Sequence, residues 1–430
     1  MELNGLSIDQ APPISAPVRF FLTAPIFGLI AGIIILFSDS SALMNRYSLE
    51  SIAITHSITI GFLGFIMLGA LTQMLPVLVG AKMPKVVFVA KYSFLLLTLG
   101  LIFMILSLLK HNDIYIYISM LSLGGGFFMM LGSMAIALKR VNNYTPTVKA
   151  IVTSIFFAST IIAMGLFLLY SYSGENISQY QIIVANIHSV WAIFGFGGIL
   201  IIGVAFQVLP MFYVAPKFKS FCKKRVVWLI STGLVLWLIL SIFQEEYTLF
   251  AKAWIALFFW AFATTVWLKL NKRRRPITDV TVWYWRNASI FLTLGAFLWI
   301  FDEYFKHEYI VMVGILIGGG FIMSIMIGML YKVVPFLVWF HLNGMGYMTI
   351  PTMNEMINKN LSKLQFILFV ISIVGFIFSF YSPIVLKISA LSFCISMILL
   401  EYNIISPILI YKKTLKSKPD FDMSLFSQKD

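Results

Sequence analysis

The sequence predicts an all-α, polytopic membrane protein, and three observations carry that prediction. Of its 430 residues 60% are hydrophobic and only 11% charged, whereas a soluble chain carries about 25% charged residues. Apolar runs recur along the whole chain, each long enough to cross a hydrocarbon layer ~30 Å thick. The cations, finally, gather in alternate loops. Backbone groups in lipid must be satisfied within their own segment, so each run is expected to be helical; the alternating pattern of a barrel strand is absent.

Twelve runs fall near 18–38, 51–80, 86–109, 114–138, 148–172, 180–212, 225–243, 249–270, 280–301, 308–340, 363–382 and 384–410. Residues 1–17 read as a polar tail with only acidic charges, unlike the basic start of a signal peptide. Residues 18–410 then form one transmembrane domain, and 411–430 a basic tail. No soluble insertion is expected, because the longest non-apolar stretch lies between His341 and Ser362. Cys222 and Cys394 are the only cysteines, too few for a disulfide framework or a thiolate metal cluster.

The net charge of +14 is explained by topology. With a cytoplasmic amino terminus, 24 Lys and Arg lie on inner segments and only Arg46, Lys110, Lys252, Lys306 and Lys387 on outer ones. That asymmetry predicts both termini in the cytoplasm of a bacterial inner membrane. The expected partner is the lipid bilayer and not nucleic acid.

A pattern recurs three times: Gly69-Ala-Leu-Thr-Gln73-Met-Leu-Pro76, Gly203-Val-Ala-Phe-Gln207-Val-Leu-Pro210 and Gly328-Met-Leu-Tyr-Lys332-Val-Val-Pro335. The copies sit on helices two, six and ten, so the chain divides into four-helix units near 18–140, 148–270 and 280–410. Gly61 and Gly64 match Gly195 and Gly198. Four helices per unit leave the copies parallel, and helices two, six and ten are expected around a pseudo-threefold axis.

Histidines mark these helices. His56 lies 20 residues before Pro76, His188 22 before Pro210 and His307 28 before Pro335, which makes His307 about 12 Å shallower than His56. Ionisable residues inside a membrane are costly and point to function, and imidazole is the usual ligand of haem iron and copper. His56 and His188 are thus candidate ligands for haem or copper, with His307 as a third; the competing reading is a histidine that bonds a neighbouring helix. His111 and His341 read as interfacial. At the inner end Arg286, Lys332 and Glu401 are expected at similar depth, with Glu401 neutralising a cation or the cluster holding an anionic group. Gln73 and Gln207 are expected to bridge helices or to line a path. Glu401 is the only acid clearly inside a span, so a carboxylate relay for proton transport is not expected.

The runs Thr55-His56-Ser-Ile-Thr-Ile-Gly61-Phe-Leu-Gly64, Gln207-Val-Leu-Pro210-Met-Phe and Gly328-Met-Leu-Tyr-Lys332-Val-Val-Pro335-Phe-Leu-Val-Trp-Phe-His341 resemble the haem-copper oxidase subunit I superfamily, closest to its NnrS-like bacterial members. The resemblance covers nearly the whole chain. It implies a haem b ligand at His56 and, by placement, a copper ligand at His188. It also demands a His-His pair on helix seven, a tyrosine four residues after the helix-six histidine and a His-x-His on helix ten. Here residues 225–243 hold no histidine, position 192 is Ala, and helix ten has only His307 near its start. The implied protein binds haem without a complete oxidase site and serves redox chemistry, a nitric-oxide or metal response, or a respiratory partner. A small-solute permease and a non-catalytic assembly subunit are the alternatives from other classes.

Overall fold

The computed structural model describes residues 11–173, 180–274, 278–305 and 308–421. Among them there is no strand, and the chain is an all-α polytopic membrane protein. Its long helices are α1 Ser15–Phe37, α2 Leu49–Val79, α3 Val86–Lys110, α4 Asp113–Lys139, α5 Pro146–Ser171, α6 Gln181–Tyr213, α7 Ser220–Phe243, α8 Glu245–Asn271, α9 Val280–Phe301, α10 Ile310–Gly344, α11 Lys359–Tyr381 and α12 Pro383–Thr414. All but α9 are long and apolar enough to cross a membrane; α9 has 22 residues but is less apolar, with Arg286 and Asn287 inside it.

Each expected run coincides with one helix, with ends shifted by up to five residues. The shifts have a physical cause. Lys223, Lys224, Lys412 and Lys413 continue helices that their charge assigned to loops, because Lys and Arg are good helix formers whose long stems carry the charge out to water. Several starts are fixed by side-chain caps, which satisfy amides left without a partner inside the helix. Ser48, Asn112, Thr145, Asp279 and Asn358 each accept from a backbone N–H of the helix that follows.

The bundle closes on itself, with α4 against α5, α8 against α9, and α1 against α12. The long helices α2, α6 and α10 meet in the middle, where α10 touches both of the others. Each contains a π-helical stretch: Ser57–Gly64, Trp191–Gly198 and Ile315–Met323. All three stretches end 12 residues before Pro76, Pro210 and Pro335 respectively.

Packing repeats in the same register. A Cβ on Gly61 of α2 would meet Phe27 of α1; on Gly195 of α6, Phe157 of α5; on Gly320 of α10, Phe291 of α9, each at 2.5–2.7 Å or closer. Seven residues before each proline, Gly69, Gly203 and Gly328 accept Phe20, Ala150 and Tyr284, again on α1, α5 and α9. These close approaches are possible only where a Cβ is missing. The ends diverge. Both α2 and α6 stop within four residues of their proline, whereas α10 continues to Gly344. Four residues after Pro76 and Pro210 stand Gly80 at φ 72° and Val214 at φ 52°, both left-handed, closing like turns through Ala81 N–H to Leu75 O and Ala215 N–H to Leu209 O. The first position has the residue that geometry favours, and the second a β-branched one.

Candidate functional site

His56 closes the α-helical opening of α2, one residue before its π stretch, and His188 lies three residues before that of α6. π segments in α-helices are frequent at functional sites. The two imidazoles face each other, with ring centroids 6.1 Å apart and planes inclined by 31°. His56 Nδ1 stands 2.8 Å from Ile52 O and His188 Nδ1 2.9 Å from Ile161 O of α5. A carbonyl can only accept, so both rings donate from Nδ1. That bond fixes orientation and leaves Nε2 as the free lone pair, the arrangement that ligating histidines use. Neither Nε2 has a partner among the described residues.

The third helix brings space to this level. Gly314 lies 21 residues before Pro335, between the offsets of His56 and His188 from their own prolines, and Gly318 one turn further in. A Cβ on either would touch nothing within 4 Å. Both share a helical face with Ile322, whose side chain meets Gly197 of α6 together with Met67 of α2. Met67, Gly197 and Ile322 thus meet at the centre of the bundle, and near the depth of the two imidazoles α10 carries glycines with open space beside them. Arg46, before α2, donates from Nη2 to Ser189 Oγ at 3.2 Å, which places a cation on the residue beside His188. His307 falls outside the described residues.

This donor set can be tested against the metals expected from sequence. Two metal–nitrogen bonds of ~2.0 Å plus the two ring radii come to about 6 Å between centroids, so the 6.1 Å separation is the one a metal shared by both Nε2 atoms would need. Among the described residues no group of three His, Cys, Asp or Glu could hold a metal ion. Two donors fall short of the three or four that zinc and copper sites draw from protein. They would suffice for haem, which brings its own ring nitrogens to the iron and would ask only for the two imidazoles of His56 and His188.

At the opposite end, where the prolines lie, the expected cluster is not assembled. Lys332 donates to Asp279 Oδ2 at 2.5 Å and lies over the ring of Tyr213. Arg286 turns instead to Asn271 Oδ1, 3.2 Å from Nη2, and to the face of Trp267. Glu401 has no ion pair among the described residues, and its Oε2 is buried without a hydrogen bond. The correction is geometric, since Arg286 faces α8 while Lys332 reaches the cap of α9. Among the described residues Gln73 and Gln207 form no side-chain hydrogen bond either, and the Gln73 Oε1 is buried without a partner there. Burial alone would push the Asp279 carboxyl up, but Lys332 together with donors from Thr281 and Val282 outweighs it and holds the group below the usual carboxylate range.

Sequence reasoning missed a buried polar chain at this end. Tyr284 OH and Tyr331 OH both donate to Gln365 Oε1, at 2.5 and 3.1 Å; Gln365 Nε2 donates to Ser396 Oγ, and Asn403 Nδ2 to Tyr331 OH. It joins α9, α10, α11 and α12. Gln365 and Asn403, polar residues inside apolar runs, were the signal that could have found it. Lys252, placed by sequence on the outer side, is 6% exposed and pairs with Glu303.

No protein-family model matches the chain, and no curated protein matches it.

Proposed function

We propose that this chain is a haem-binding membrane protein related to haem-copper oxidase subunit I and its NnrS-like members, in which His56 and His188 hold the iron of a haem b. The observation that carries this reading is the imidazole pair at 6.1 Å with both Nδ1 atoms bound to carbonyls. A haem with two imidazole ligands supplies one-electron transfer. His56 and His188 would hold it, Ile52 and Ile161 orient the rings, Gly314 and Gly318 leave room, and Arg46 offers positive charge for its carboxylates. The Met67–Gly197–Ile322 contact keeps water from the other end away.

The recurring packing of α1, α5 and α9 on α2, α6 and α10 supports three four-helix units. The cation asymmetry supports both termini in the cytoplasm of a bacterial inner membrane. Oxygen reduction is not part of the reading, because α7 and position 192 lack the histidines and tyrosine it needs. A respiratory or other redox partner would exchange the electron.

The test is an absorption spectrum and metal analysis of the purified full chain after haem-replete expression. A Soret band is expected, lost in His56→Ala and in His188→Ala and kept in His111→Ala. A wild-type protein without the band, or with copper in its place, overturns the haem assignment, as does a band that survives both substitutions.

A further inference from the structure

Helices α1, α5 and α9 pack on α2, α6 and α10 in one register, and a single position breaks it. Phe27, Phe157 and Phe291 meet Gly61, Gly195 and Gly320, and seven residues earlier Phe20, Ala150 and Tyr284 meet Gly69, Gly203 and Gly328. Eight residues after the three phenylalanines stand Ile35, Gly165 and Trp299. Ile35 and Trp299 are large and buried, whereas α5 has no side chain at this place. Glycine weakens a helix interior relative to alanine, so its presence calls for a local cause.

That cause lies against His188. A Cβ on Gly165 would stand 3.1 Å from His188 Cε1, 3.7 Å from Nδ1 and 4.0 Å from Nε2. The nitrogen-bearing edge of the imidazole therefore rests on bare backbone of α5. Ile161, whose carbonyl takes the Nδ1 hydrogen at 2.9 Å, lies four residues before Gly165 in the same helix. A helical side chain covers the turn on the amino-terminal side of its own Cα. Without one at 165, the Ile161 carbonyl keeps a lone pair open to the ring while the other serves the helix.

The two imidazoles are thus held by different means. His56 bonds Ile52, four residues earlier on its own helix, and α2 alone sets its direction. His188 takes its acceptor from α5, across a helix interface, and that bond exists only as long as position 165 stays bare.

We propose that Gly165 is the positioning residue of the second imidazole. By leaving the ring edge and the Ile161 carbonyl uncovered, it lets His188 present Nε2 to the iron and so close the sixth coordination position to outside ligands. This inference rests on the haem reading given above and goes beyond it in giving α5 control of one of the two axial positions.

The experiment compares full-length wild type, Gly165→Ala, Gly165→Leu and Gly132→Ala, each purified after haem-replete expression. It reads absorption and electron paramagnetic resonance for spin state, and titrates the ferrous form with carbon monoxide as a probe of the sixth position. A Cβ at Gly132 of α4 meets nothing within 4 Å, and its variant is expected to match wild type, low-spin and resistant to carbon monoxide. Gly165→Ala forces the imidazole to yield by a few tenths of an ångström. It should keep the Soret band, turn part of the iron high-spin and raise carbon monoxide affinity about ten-fold, the effect of an imidazole pushed off its rotamer. Gly165→Leu should lose the band, as His188→Ala does.

Alanine is the better helix former, so a glycine with only a structural role would leave the spectrum unchanged when replaced. The expected result is a changed spin state with the unfolding midpoint of the haem-free chain held or raised. A wild-type chain without a Soret band overturns the haem reading and this inference with it. A wild-type band matched by Gly165→Ala in both spin state and carbon monoxide affinity overturns the inference alone. If Gly165→Leu fails to insert, the alanine variant decides.

Discussion

The two ends of the space between α2, α6 and α10 treat polar groups in opposite ways. At the histidine end, His56 and His188 use one nitrogen each for a carbonyl and keep the other free, and α10 contributes Gly314 and Gly318 beside open space. At the proline end Lys332 is bound to Asp279, and Tyr284, Tyr331 and Gln365 close on one another. A polar group inside a membrane protein has to be satisfied by its neighbours or by something brought in. The proline end pairs most of these groups within the chain and leaves Gln73 Oε1 and Glu401 Oε2 without a partner among the described residues, whereas the histidine end keeps two imidazole nitrogens free.

If that contrast is right, filling the open end should abolish binding without unfolding the protein. Gly318→Leu places a side chain in the cleft and is expected to remove the Soret band while the unfolding midpoint holds; an intact band would show that the space is not used. The closed end should respond through stability. Gln365→Leu leaves two buried tyrosine hydroxyls without their acceptor and should cost about 1–3 kcal/mol in chemical unfolding, with the spectrum unchanged.

Lys332→Gln gives the third copy the residue of the first two and separates pairing from position. It should destabilise by about 1 kcal/mol at neutral pH, since the pair is partly exposed and solvent screens it. Because the folded carboxyl of Asp279 titrates below its unfolded value of ~3.9, its stabilisation is present above that value and disappears as pH falls through the folded one. Wild type and Lys332→Gln should therefore converge in stability as pH falls from about 4 through the lower folded value; a difference that persists below that folded value would assign the effect to packing. The smallest change concerns a turn. Val214→Gly relieves a left-handed β-branched residue and should stabilise by about 1 kcal/mol, a gain that the same measurement reads.

The membrane class and the position of each helix were legible because apolar runs of spanning length leave few alternatives. His56 and His188 were legible because their distances to Pro76 and Pro210 nearly agree. What escaped depends on helical phase. The sequence puts Arg286, Lys332 and Glu401 at one depth, but depth does not say which way a side chain points, and Lys332 found Asp279 on a cap outside any apolar run. Gly314 escaped because absence of a side chain carries no chemistry until its surroundings are known.

The π stretches bear on how such a site can change over time. Each sets the angular offset between the outer half of its helix, which in α2 and α6 carries His56 and His188, and the half that bears the proline. Deleting a single residue there would restore α winding and swing the upper half by about 100° about the axis, carrying His56 or His188 off the cleft while the glycine contacts below stayed in place. Gain or loss of the facing imidazoles is then a matter of one codon in helix phase, and a scaffold of this kind can acquire or discard that pair without redesigning its packing.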